Sequence, residues 1–141
     1  MTNEYLTFKN LIMVNSVVAV VYGLLFVIIP EDAVDLYDVA LDPTGVLPIG
    51  IYMTQLFGAS LIATGVFLWF IRDLPPSDMR KGITIGLLIG EVLGVIITLM
   101  MQLDDDVDAN MMGWSNVLVY LLFGIGYGYF LFMKPDEPAA A

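Results

Sequence analysis

Glu91 is the one acid inside an apolar run that stretches from Gly82 to Leu103, and it is the residue of this sequence best placed to do chemistry. A carboxyl in hydrocarbon can hold a proton or a cation, or it can act as a neutral hydrogen-bond anchor between helices. Glu91 lies nine residues into its span, roughly 13 Å deep at about 1.5 Å per residue, near the midplane of a core about 30 Å thick. Ionised, it would cost on the order of 2.5–3.5 kcal/mol there, and the apolar run contains no Lys or Arg, so the acid is expected to be neutral and hydrogen-bonded. Side chains at matching depth are Ser60 and Thr64 before it in sequence and Tyr120 and Tyr127 after it, with Tyr22 a further choice. Thr84 and Thr98, seven residues away on either side, share its helical face.

Two other acidic groups stand outside the apolar runs. Glu31, Asp35, Asp38 and Asp42 are spaced four, three and four, which lines one side of a helix, while Val34, Tyr37 and Leu41 keep the same period on another. A short amphipathic helix on the membrane surface is expected over 31–42, ending in the turn Asp42-Pro43-Thr44-Gly45. Asp104-Asp105-Asp106-Val107-Asp108 has the spacing that opens an EF-hand loop, but such a loop then needs Gly and Glu where Ala109 and Ser115 stand. A solvated acidic turn is the expected form, and weak cation binding at these two loops is the remaining chemistry. No dedicated metal site is expected.

Composition narrows the classes further. Of 141 residues 59% are hydrophobic, against about 45–50% in a soluble domain, so the chain reads as a membrane protein. It has no Cys and no His, which excludes disulfides, thiolate or imidazole metal sites, His-ligated haem and a Ser-His-Asp triad. Five basic residues against fifteen acids leave no basic patch for nucleic acid. No grouping of nucleophile, base and oxyanion donors is present, so neither an enzyme nor a cofactor is expected.

Four apolar runs have to position Glu91: 11–29, 49–71, 83–103 and 114–133. Each is long enough to cross a bilayer as a helix. The first exceeds the h-region of a signal peptide and is followed by Pro30-Glu31-Asp32 rather than a small-residue cleavage site, so it is expected to be retained. The fold class is therefore all-α, one transmembrane domain of four helices arranged as an antiparallel bundle of two hairpins. Pro75-Pro76 and the cap Ser77-Asp78 punctuate the middle connection. Gly82, Gly86, Gly90 and Gly94 form a four-spaced row on the third span, and Gly124 with Gly128 a second on the fourth. Such rows let another helix come close where lipid supplies no hydrophobic drive. Lys9, Arg72, Arg80, Lys81 and Lys134 all fall in regions that four spans place on one side, expected to be the cytoplasm. Nine acids (Glu31, Asp32, Asp35, Asp38, Asp42, Asp104, Asp105, Asp106 and Asp108) then face outside.

Gly23-Leu24-Leu25-Phe26 running to Pro30-Glu31, Gln55-Leu56-Phe57-Gly58-Ala59 leading to Gly65 and Trp69-x-x-Arg72, and Gly113-Trp114 together carry a family likeness over most of the chain. In these features the sequence resembles the small four-helix prokaryotic membrane proteins grouped as DoxX-like or uncharacterised families. The resemblance implies a four-helix membrane bundle in a prokaryotic inner membrane and brings no catalytic residue with it. Two functions are compatible with these readings. One is a non-catalytic accessory protein that packs into a homo-oligomer or a larger membrane complex through its glycine rows. The other is a small transporter or channel that uses Glu91 for protons or cations.

Overall fold

A computed structural model describes residues 7–37, 48–104 and 110–134. Its described residues are helical or in short connections, with no strand among them. Four helices are long and apolar enough to cross a membrane, Phe8–Ile28, Ile49–Ile71, Asp78–Gln102 and Met111–Met133, as expected of a multi-pass membrane protein. Their surfaces bear this out. Val14, Val17 and Val21 on the first, Phe67 and Phe70 on the second, Ile89, Leu93 and Ile97 on the third and Leu118, Leu122 and Ile125 on the fourth are all exposed, a distribution that suits lipid and not water. The chain divides into two compact units, Met1–Arg72 and Asp73–Ala141.

The first unit pairs α1 (Phe8–Ile28) with α3 (Pro48–Ile71), and α2 (Pro30–Asp35) packs against both. Thr7 caps α1, its hydroxyl accepting from the Asn10 N–H at 3.1 Å. Pro30 stops α1 and opens α2 at the first helical position, where its missing N–H costs nothing. Glu31 and Asp32 in that first turn favour the positive end of the helix. The amphipathic element is thus real but covers Pro30–Asp35, and Asp38, Leu41 and Asp42 of the expected 31–42 stretch lie outside the described residues, as does the turn after them.

Small residues fasten this hairpin. A Cβ added to Gly23 would come within 2.7 Å of the Gly58 carbonyl oxygen, and one added to Gly58 within 2.8 Å of the Gly23 oxygen. Seven residues away, a Cβ on Gly65 would reach 2.7 Å from the Ser16 oxygen, while the Ser16 hydroxyl donates to the Gly65 carbonyl at 2.6 Å. Gln55 Nε2 donates to the Val27 carbonyl at 3.4 Å further along. Ser16 opposite Gly65, Gly23 opposite Gly58 and Val27 opposite Gln55 define an antiparallel pair whose two closest contacts stand seven residues apart on both helices. Gly58 and Gly65 therefore pack on α1, whereas Ala59 and Ala63 beside them are exposed. Phe26 closes one end among Tyr22, Tyr37 and Phe57, with ring centroids 6.2, 6.4 and 5.8 Å away.

The second unit pairs α4 (Asp78–Gln102) with α5 (Met111–Gly128), which continues as a π-helical turn, Tyr129–Met133. Ser77 caps α4 by accepting from the Arg80 N–H at 3.3 Å. Asn110 caps α5 in the same way, accepting from the Gly113 N–H at 2.7 Å. The Asn110 N–H in turn donates to Gln102 Oε1 at 3.1 Å, which ties the end of α4 to the start of α5. Gly113 leaves no room for a side chain at this clasp, since an added Cβ would overlap the Gln102 amide.

Candidate functional site

The α4–α5 hairpin is built on a different principle from the α1–α3 hairpin. The buried residues of α4 are Thr84, Glu91 and Gln102, all polar, while those of α1 are mainly apolar or small. Thr84 and Gln102 are 3% and 8% exposed, and Glu91 is 9% exposed although its chain neighbours Gly90 and Val92 are exposed. The face that would be apolar in a soluble helix is the polar one here, because lipid takes the apolar side.

Three close approaches fix the register around Glu91. A Cβ built on Gly124 has Glu91 Cβ as its neighbour at 3.5 Å. A Cβ on Gly94 would lie 2.5 Å from Tyr120 Cδ1, so the Tyr120 ring rests against α4 less than one turn beyond Glu91. Gly113 meets Gln102 at the far end. Glu91 therefore meets α5 at the hole around Gly124, with Tyr120 four residues before that glycine and Tyr127 three after it. Tyr127 is fully buried, and its ring lies alongside that of Phe123 with centroids 6.4 Å apart.

Of the residues singled out with Glu91, Tyr120 and Tyr127 stand on the facing helix, four residues before and three after the Gly124 that meets Glu91 Cβ. Thr84 and Thr98 share its face, but their hydroxyl protons go to their own helix, to the Arg80 carbonyl at 2.8 Å and the Gly94 carbonyl at 2.7 Å. Ser60 and Thr64 belong to the first unit, where their hydroxyls donate one turn back to the Leu56 and Ser60 carbonyls at 3.0 and 2.9 Å. Tyr22 is also in that unit, edge-on to Phe26.

The glycines divide in an informative way. An added Cβ at Gly82, Gly86 or Gly90 meets nothing within 4 Å, and all three are exposed; Gly94 alone of that row is pressed against a side chain. On α5, Gly124 backs Glu91 and Gly128 meets nothing within 4 Å. The close contacts that sequence reasoning missed are those at Gly23, Gly58, Gly65 and Gly113 and the Gln102–Asn110 clasp. The signal for Gly23, Gly58 and Gly65 is a seven-residue interval, Ser16 to Gly23 and Gly58 to Gly65, matched between two helices.

Among the described residues no three His, Cys, Asp or Glu come together to hold a metal ion. Glu31, Asp32, Asp35 and Asp104 are exposed, and Asp105, Asp106 and Asp108 lie outside the described residues together with most of the two acidic loops at which weak cation binding was expected. Arg72 sits over the Trp69 ring, 4.3 Å from its centroid, an arrangement suited to a membrane interface. No family model, curated protein or solved structure matches the chain.

Proposed function

We propose that this is a non-catalytic accessory protein of a prokaryotic inner membrane, which packs into a homo-oligomer or a larger membrane complex through α4. The observation that supports it is the exposed row Gly82, Gly86 and Gly90, which the contacts between α4 and α5 leave unused. In lipid a helix gains association energy mainly from close backbone approach and shape fit, and three glycines one turn apart offer that along about 12 Å of helix at 1.5 Å per residue. Gly90→Leu is expected to lower the oligomer or complex size in mild detergent while leaving helicity unchanged, and Ile89→Leu to leave both as in wild type. Light scattering coupled to size-exclusion chromatography reads the outcome. An unchanged particle mass for Gly86→Leu and Gly90→Leu would remove the basis of this reading. If wild type purifies as a monomer by itself and as a larger particle only from its native membrane, the partner is another protein.

Both termini are placed in the cytoplasm in the same proposal, because all five basic residues fall in the three regions that would share that side. The chain lacks Cys, which makes a labelling test direct. Asp35→Cys and Asp104→Cys should react with a membrane-impermeant thiol reagent added to intact cells, and Pro76→Cys should react only after the membrane is opened. The reverse pattern would invert the topology.

A further inference from the structure

We infer that Glu91, Tyr120 and Tyr127 form a proton-binding site enclosed in the α4–α5 hairpin. Glu91 is nine-tenths buried, and the register set by Gly124 and Gly94 places it opposite the turn of α5 that carries Tyr120 on one side of Gly124 and the fully buried Tyr127 on the other. A phenol both donates and accepts, so the same hole serves a carboxylate, which accepts from a tyrosine O–H, and a carboxylic acid, which donates to a tyrosine oxygen. Between Lys81 and Lys134 the sequence has no Lys or Arg, so any charge on the carboxyl is met by such dipoles. The other titratable side chains of this unit's described elements stand at its ends: Asp78, Arg80 and Lys81 at the start of α4, and Tyr129 in the π-helical turn with Lys134 after it.

The ligand is a proton and not a metal cation. Ca²⁺ takes six to eight oxygens and Mg²⁺ six, whereas the facing stretch of α5 from Tyr120 to Tyr127 carries two phenols and no other side-chain oxygen. Length also separates binding from conduction. Thr84 and Thr98 lie seven residues from Glu91, about 10 Å along the helix at 1.5 Å per residue, several hydrogen-bond lengths away, and their own protons are committed to the Arg80 and Gly94 carbonyls. The hydroxyls of α4 therefore do not complete a wire, and the site holds a proton rather than passing it along the helix.

Infrared spectroscopy of the full chain in lipid tests this directly. Wild type at neutral pH should show the stretch of a protonated carboxyl, absent in Glu91→Gln, while the exposed acids contribute only carboxylate bands. Tyr127→Phe and Tyr120→Phe should each shift that band, and Tyr129→Phe should leave it in place. The band should vanish at high pH in a single step. A wild-type spectrum with no protonated carboxyl at neutral pH would overturn the inference whatever the variants do. So would a band that survives in Glu91→Gln, or one that neither Tyr120→Phe nor Tyr127→Phe moves. The assembly measurements on Gly86 and Gly90 do not bear on this result, so either reading can fail alone.

Discussion

Gly23→Ala and Gly58→Ala are each expected to destabilise the α1–α3 hairpin by about 1–3 kcal/mol, the range of overpacking in a well-filled contact. The new methyl would meet a facing backbone oxygen at 2.7 or 2.8 Å, and a helix backbone yields only if the whole helix moves. An Ala for Gly exchange inside a helix otherwise gains up to about 1 kcal/mol from propensity, so the sign of the result reports the contact. Gly128→Ala supplies the control: its methyl meets nothing within 4 Å and it stands outside the α4 row, so the variant should be as stable as wild type or slightly more so. Unfolding by titration with a denaturing detergent, followed by circular dichroism, measures all three. Equal midpoints for Gly23→Ala and Gly128→Ala would show that α1 and α3 do not approach at Gly23.

Gly113→Ala is expected to loosen the second hairpin by a comparable amount through a different route. The added methyl displaces the Gln102 amide, and with it the hydrogen bond from the Asn110 N–H at 3.1 Å. Loss of a partner for a buried polar group costs about 1–3 kcal/mol. Gln102→Ala removes the same hydrogen bond but also removes the obstruction, so the double variant Gly113→Ala with Gln102→Ala should cost clearly less than the two single changes added together. Strict additivity in the unfolding free energies would show that the two residues do not share this contact.

The spans were legible because the bilayer sets a length and the sequence meets it four times, but hydropathy marks the lipid core and not the helix. The third span was read as 83–103, whereas α4 starts at Asp78 since Ser77 caps it there, with Arg80 and Lys81 already in its first turns. The fourth was read from Trp114, and the Asn110 cap starts α5 at Met111. Glu91 stands out by type and depth, and two of the residues named with it, Tyr120 and Tyr127, lie on the facing helix on either side of Gly124, at the same seven-residue period as Thr84, Glu91 and Thr98. The glycines were harder. A four-spaced row is conspicuous in one segment, yet it records only a smooth face and not what lies against it. The glycines that touch backbone, Gly23, Gly58 and Gly65, are isolated in their own segments and gain meaning only when two helices are aligned.

The boundary between the units falls at Arg72, and every contact that fastens α1 to α3 lies before it, from Ser16–Gly65 to Gly23–Gly58. The first half is thus complete as soon as Arg72 has left the ribosome and its helices have entered the bilayer. At about 5–20 residues per second, Glu91 follows Arg72 out of the ribosome roughly 1–4 s later, far longer than the microseconds to milliseconds in which a helical protein rich in local contacts folds. Biogenesis then proceeds in two instalments, with the first hairpin zipped before Glu91 emerges from the exit tunnel. The buried acid enters a membrane that already holds half of the protein.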